Sequence, residues 1–244
     1  MATIAANLQA VRARIARAAA AAGRDPAGVS LLAVSKTFDA DSVATACAQG
    51  QHAFGESYLQ EALPKIAAVP TAPVPRDGDF ARSIEWHFIG PVQSNKTRAI
   101  AEHFDWVHSV DRGKIAARLA AARPPARGPL NVCLQINIGF ETTKSGVAPA
   151  DAADLAREVQ AIPGIRLRGL MAIPPATEDV GLQREHFSQL RRLCEALVAA
   201  GIELDTLSMG MSGDLEAAIM EGATIVRVGT AIFGARPSAS RVTA

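Results

Sequence analysis

Short apolar runs alternate along this chain with stretches whose apolar residues fall on one side of a helix. The first stretch is helical: Ile4, Leu8, Val11 and Ile15 recur at helical spacing, and Thr3 is placed to cap the start. Gly23 and Pro26 end it. Then comes Ser30-Leu31-Leu32-Ala33-Val34-Ser35-Lys36, a strand-like run with a lysine at its end. The same pattern predicts further strands over 52–56, 85–90, 106–110, 130–137, 165–173, 206–211 and 225–233. Helices are predicted between them: from a cap at Asp39 or Asp41 to Gly50, over 58–66 and 95–102, after a cap at Asp111, and over 150–162, 181–200 and 214–221. The longest carries Leu182, Phe187, Leu190, Leu193, Cys194 and Leu197 on one side. Residues 69–83, rich in proline and glycine, read as an exposed loop.

The strand runs are almost continuously apolar, as parallel strands buried on both faces should be. Strands alternating with helices in a chain of 244 residues predict an α/β fold, a single (β/α)8 TIM-type barrel with an extra N-terminal helix. One domain is expected, with the helix over about 3–22, the barrel over about 30–236 and a short C-terminal tail. The alternative, an open doubly wound sheet, announces its nucleotide site with glycines after the first strand. Here that strand runs into Ser35-Lys36-Thr37-Phe38, which holds no glycine.

Composition narrows the partners. Lysine and arginine number 25 against 24 acidic residues, for a net charge of +1 and no basic run. Neither a nucleic acid nor a membrane surface is an expected partner. Cys47, Cys133 and Cys194 are far apart and form no disulfide framework or metal pair, which fits a cytoplasmic protein. His52, His103, His108 and His186 show no metal-ligand spacing; no metal is expected, and these four read as surface or structural. The arginines near the N-terminus lie in an amphipathic helix rather than a secretory signal, and no apolar run is long enough to span a bilayer.

A barrel of this kind carries its site at the C-terminal ends of its strands, with phosphate often held after the last two. Their position at the strand ends places Lys36, Glu56, Ser57, His87, Asn137, Ser212, Gly213, Gly229 and Thr230 there. Ser212 and Thr230 offer hydroxyls, Gly213 and Gly229 let backbone N–H groups approach an anion, and the helix near Asp214 presents its positive end. Read singly, Ser212 is also an ordinary helix cap and Gly229-Thr230 an ordinary turn. Lys36 brings an amine to the barrel mouth, where it either forms a Schiff base with an aldehyde or snorkels to solvent. Together the two features suggest a phosphorylated aldehyde: pyridoxal phosphate, or a sugar phosphate in an aldolase. Arg227 lies between two valines and should face the barrel interior. Its partner is either a structural carboxylate, Glu56 or Glu85, or the pyridine nitrogen of pyridoxal phosphate.

Several stretches then coincide with one family: Leu32-Ala33-Val34-Ser35-Lys36-Thr37, Phe54-Gly55-Glu56, Trp86 to Lys96, Lys144-Ser145-Gly146, Arg168 to Pro174, Met211-Ser212 and Arg227 to Gly234. Over nearly its whole length the chain resembles the YggS/PROSC family of pyridoxal phosphate homeostasis proteins, whose barrel is similar to the N-terminal domain of bacterial alanine racemase. The resemblance implies pyridoxal 5'-phosphate (PLP) as cofactor, held as a Schiff base on Lys36. It implies a phosphate cup of Ser212, Gly229 and Thr230, with Met211 and Gly213 beside it, and Arg227 at the pyridine nitrogen. Ser57, His87, Asn137 and Lys144 complete the cofactor-binding set, and no catalytic residue is expected. Two positions depart from the family pattern: Ser57 replaces an asparagine, and Phe38 a second lysine.

The function implied is non-catalytic: a monomer that holds PLP in intracellular homeostasis and delivers it to apo-enzymes. The alternative is a PLP-dependent racemase-like enzyme. Racemisation needs acid/base groups on both faces of the substrate, and the chain's one tyrosine, Tyr58, is predicted at a helix start. A Schiff-base aldolase is the third reading, and it would carry no visible chromophore.

Overall fold

The computed structural model describes residues 3–69, 74–76, 79–82, 84–139 and 145–235. Among the described residues ten strands are found: β1 (Ser30–Val34), β2 (Ala53–Glu56), β3 (Val74–Arg76), β4 (Asp79–Arg82), β5 (Glu85–Phe88), β6 (Trp106–Val110), β7 (Leu130–Gln135), β8 (Ile165–Met171), β9 (Thr206–Ser208) and β10 (Ile225–Val228). The helices are α1 (Ile4–Ala21), α2 (Ala40–Cys47), α3 (Leu59–Ala68), α4 (Thr97–His103), α5 (Gly113–Ala122), α6 (Ala152–Gln160), α7 (Val180–Ala199), α8 (Leu215–Met220) and α9 (Thr230–Phe233). All strands except β3 and β4 join in parallel as a closed barrel in the order β1-β10-β9-β8-β7-β6-β5-β2. The predicted (β/α)8 barrel with an extra N-terminal helix is the fold found.

Most of the core lies between the outer faces of the strands and the helices, where Phe54, Val107, Leu134, Leu170 and Val228 meet Ile100, Ile115, Val159 and Phe187. Smaller clusters fill the barrel interior: Leu32, Ala53 and Ile225 with Ile89, and Trp106 with Cys133 and Met171. The interior is tight at Gly169, where an added Cβ would collide with the Thr206 carbonyl oxygen. Backbone cannot yield there as a flexible side chain would. Gly169→Ala is therefore expected to cost about 3 kcal/mol, read as a lower denaturation midpoint at unchanged slope.

Three expectations need correction. Residues 69–83 were expected to be an exposed loop, yet β3 and β4 pair there as an antiparallel hairpin. Asp111 does not cap α5; Arg112 holds the cap position, and Asp111 accepts a hydrogen bond from the Arg112 guanidinium at 3.1 Å. The last strand does not run to Phe233: it stops at Val228, and the chain turns at Gly229 into α9. That turn is steric and polar in origin. A Cβ at Gly229 would press on the Val34 carbonyl oxygen at 3.1 Å, and the Ala231 N–H is drawn to Ser212 Oγ at 3.4 Å.

The N-terminal helix braces this end of the barrel. Asn7 Nδ2 donates to the Ile232 carbonyl at 2.8 Å, and Arg14 pairs with Glu216 at 2.8 Å while donating to the Ser212 carbonyl at 3.1 Å. At the other end of the barrel Arg24, just past α1, donates to the Ile219 carbonyl in α8 and to the Ala223 carbonyl before β10 at 2.7 and 2.8 Å. The helix thus fixes the two segments that follow β9 and β10. Among the described residues no helix is long and apolar enough to cross a membrane.

Candidate functional site

Alternation along β1 puts Leu32 among the interior residues, and the same period carries Lys36 to the mouth, half-buried in the turn after the strand. That turn is strained. Thr37 has φ 70°, a left-handed conformation unusual for a β-branched residue. Glu61 stabilises it by accepting the Thr37 N–H at 3.0 Å. Behind it, Lys65 Nζ and Ser35 Oγ both lie 2.6 Å from Glu56 Oε1, and Lys65 also donates to the Ser35 carbonyl at 2.8 Å. Burial pushes the Glu56 carboxyl above its ordinary range, against the opposing pull of Lys65. Glu56 therefore serves as a bracket on the outer side of the barrel and does not reach Arg227.

Phe38 explains itself at this turn. Its ring lies 5.1 Å from that of Phe233, packing the β1 turn against α9. Where the resemblance has a second lysine, this chain has an apolar clasp between the lysine turn and the last glycine turn.

The segments after β9 and β10 form the opposite side of the same corner. Gly210 takes φ 90°, and Asp214 Oδ1 accepts the Met211 N–H, closing a compact turn over Met211, Ser212 and Gly213. Ser212 Oγ links this turn to Ala231 in α9. Among the described residues, the N–H groups of Ser212, Gly213 and Thr230 donate to no protein acceptor. Thr230 and Gly213 are exposed, and Gly213 has open space on its Cβ side. The result is a polar cradle that a small anion fits. Met211 and Gly213 also line a groove of about 630 Å³ toward α7.

Below the cradle Arg227 is buried inside the barrel, as alternation predicted. Its partners are neutral: Nη1 donates to the Ser208 hydroxyl at 2.8 Å and to the Ser208 carbonyl, and Nη2 to the Ala172 carbonyl at 2.8 Å. Neither Glu56 nor Glu85 is among them, which corrects the carboxylate alternative. Burial lowers the guanidinium to about 10, so it remains protonated at neutral pH. The chain of contacts continues: His108 Nδ1 lies 2.8 Å from Ser208 Oγ, and His108 Nε2 lies 2.9 Å from His87 Nδ1.

Lys36, Ser57, Asn137, Met211, Ser212, Gly213, Gly229 and Thr230 all lie at the C-terminal ends of barrel strands, with Arg227 beneath them. Asn137 borders a separate recess of about 270 Å³ with Ile89, Gln135 and Ile173. His87 does not join the rim. It is buried, stacked 5.4 Å from the Trp106 ring, and lines a cavity at the other end of the barrel. Lys144 lies outside the described residues. His108 is fully buried and not a surface residue. The roles of His108 and Ser208 around Arg227 were missed; the available signal was a polar residue at an inward position of an otherwise apolar strand.

This corner is that of a barrel protein with a polar cradle, a neighbouring lysine and a buried arginine held, among the described residues, by neutral oxygens. The chain belongs to the family of the alanine racemase N-terminal domain, whose model matches residues 6–237. Within that family its relatives include the pyridoxal phosphate homeostasis protein of Pseudomonas aeruginosa, 58% identical over 97% of both chains. The pyridoxal phosphate homeostasis protein of Escherichia coli is 49% identical, over 96% of this chain and 97% of that one. Among solved structures, PipY of Synechococcus elongatus PCC7942, with PLP bound, is 34% identical with a TM-score of 0.78, covering 95% of this chain and all of the other. The family resemblance drawn from the motifs is borne out.

Proposed function

We propose that this protein binds PLP at the corner formed by β1, β9 and β10, with Lys36 as the covalent anchor. It holds the cofactor for intracellular homeostasis and delivery to apo-enzymes rather than turning over a substrate. The observation that carries this reading is Arg227: a buried cation with only neutral oxygens as partners, directly below the anion cradle. When bound, PLP supplies an aldehyde that a primary amine captures and a ring that withdraws electrons. Lys36 offers the amine. Ser212, Gly213, Gly229 and Thr230 offer hydroxyls and N–H donors to the phosphate. Arg227, protonated across the neutral range, offers a hydrogen bond to the ring nitrogen but no readily transferred proton. Ser57 and Asn137 stand at the rim, and Lys144 keeps the auxiliary role implied by the family. His87 is withdrawn from the proposed contact set because it faces the opposite end.

Restrained electron withdrawal suits holding over catalysis. Tyr58 supports this too: it occupies the N-cap position of α3 without a side-chain capping hydrogen bond and is half exposed. We take the protein to act as a cytoplasmic monomer. The test is an absorption spectrum of the purified protein titrated with PLP, followed by a panel of amino acids. A saturable visible band without racemisation or transamination is the expected result; a band with turnover would make it an enzyme, and no band would overturn the cofactor assignment. Ser212→Ala and Thr230→Val should each weaken PLP binding roughly tenfold, the value of a hydrogen bond to a charged group, with thermal stability retained. Unchanged affinity would remove them from the cradle.

A further inference from the structure

The interior of a (β/α)8 barrel is normally filled by side chains, and its N-terminal end carries no site. Here that end holds a cavity of about 510 Å³, within the range of small-molecule sites, between the starts of β1, β2, β5, β6 and β10 and the flank of α1. Its deep wall is made by Leu32, Ala53, Trp106 and Ile225, and Arg12 and Glu85 stand at its edge. Two buried polar side chains line it: Gln51, whose amide already donates to the Leu31 and Ala53 carbonyls at 2.9 Å, and His87. His87 is 4% exposed, turns Nδ1 toward His108, and among the described residues has no hydrogen-bond partner for Nε2. A buried ring nitrogen left without a partner at the wall of a cavity calls for a ligand atom.

The polarity of that nitrogen follows from the interior chain. Arg227 can only donate, so Ser208 Oγ accepts from it. The single Ser208 hydroxyl proton then has His108 Nδ1 as acceptor at 2.8 Å. A neutral His108 carries its proton on Nε2 and donates to His87 Nδ1 at 2.9 Å. A neutral His87 is left with N–H at Nε2. Burial keeps both rings neutral, so His87 offers a donor and no charge. The opposite proton order would leave the Ser208 hydroxyl proton without an acceptor.

We infer that the N-terminal cavity is a second binding site, for an uncharged and mainly apolar small molecule that presents one acceptor oxygen to His87 Nε2–H. Arg12 and Glu85 put opposite charges on the lining, so it favours neither ion, and a cation would meet the N–H donor of His87. Occupancy is transmitted through His87, His108 and Ser208 to Arg227, since each bond in the chain polarises the next. The site itself stands independently of the PLP reading, while the functional weight of the last step rests on it.

The test uses the whole, cofactor-free protein with nitrogen-15 in histidine and arginine, titrated with acetophenone and with ethylbenzene, which lacks the oxygen. Saturable shifts of His87 and the Trp106 indole are expected, with acetophenone about fivefold tighter. Ser30→Trp, at an exposed position on the cavity edge, should abolish both. Arg227 resonances should move with those of His87 in the unaltered protein and stay fixed in Ser208→Ala. Absence of saturable shifts, equal affinity for the two probes, or full binding by Ser30→Trp would overturn the site. An Arg227 that does not respond would overturn the transmission. PLP titration of the same samples reports separately on the proposed cofactor corner.

Discussion

Lys36→Ala is expected to lose the borohydride-reducible linkage to PLP entirely, and with it the visible band. The argument is one of position. The chain has five lysines, at 36, 65, 96, 114 and 144. Lys65 is buried, bonded to Glu56 at 2.6 Å on the outer side of the barrel, and cannot leave without stranding a buried carboxylate. Lys96 lies in the turn before α4, and Lys114 is an exposed residue of α5. Among the described lysines Lys36 alone follows a barrel strand beside Gly229, where β1 and β10 run paired from Ser30–Ile225 to Ala33–Val228. In the proposed site the cradle and Arg227 would still attract the phosphate and ring without that amine, so weak, non-reducible binding is expected to survive. Lys36→Arg keeps the positive charge and should behave like the alanine variant, because guanidinium is not the required nucleophile. Peptide mapping after reduction gives the direct reading. A full-strength adduct in Lys36→Ala, lost only when Lys144→Ala is added, would transfer the anchor to Lys144.

Much of this corner was legible because strand alternation has a period of two. Lys36 and Arg227 each lie on the same side as an interior apolar neighbour, Leu32 and Ile225, so their direction follows from the pattern. The same rule, applied to β2, would have turned Glu56 outward: Gly55 sits against Leu32 and Ile89 inside the barrel, so its neighbour must face α3. That step was missed because glycine leaves no apolar mark to count from. The end of β10 was misplaced for a related reason. Ala231, Ile232 and Phe233 suit a strand as well as a helix, and the decision came from Val34 and Ser212, which are remote in sequence. The ring of contacts around Arg227 joins Ala172, Ser208 and His108, from three different strand segments. Polarity at an inward position marks such residues singly, while their grouping depends on the register and tilt of the closed barrel.

The buried histidines predict how the protein fails in acid. Burial depresses His87 from 6.5 to about 3, and His108 well below 6.5, where His87 and Arg227 also oppose its charging. In the unfolded chain both titrate near 6.5. Above that pH the two states bind the same number of protons at these sites, and their contribution to stability is complete. Below it the unfolded chain takes up protons that the native state refuses, so stability falls as pH falls toward the native values. The slope is about 1.4 kcal/mol per pH unit for each histidine. Between pH 6.5 and 5, above the range where most carboxylates titrate, His87 alone should remove about 2 kcal/mol, and His108 acts in the same direction. Carboxylates lowered by their partners, Asp205 and Glu216, add their own loss only at lower pH. His87→Gln retains an amide donor but has no proton to gain. It is expected to be less stable at pH 7.5 and to show a visibly shallower decline by denaturant titration down to pH 5. Equal slopes for the variant and the parent would mean that His87 does not carry the acid response.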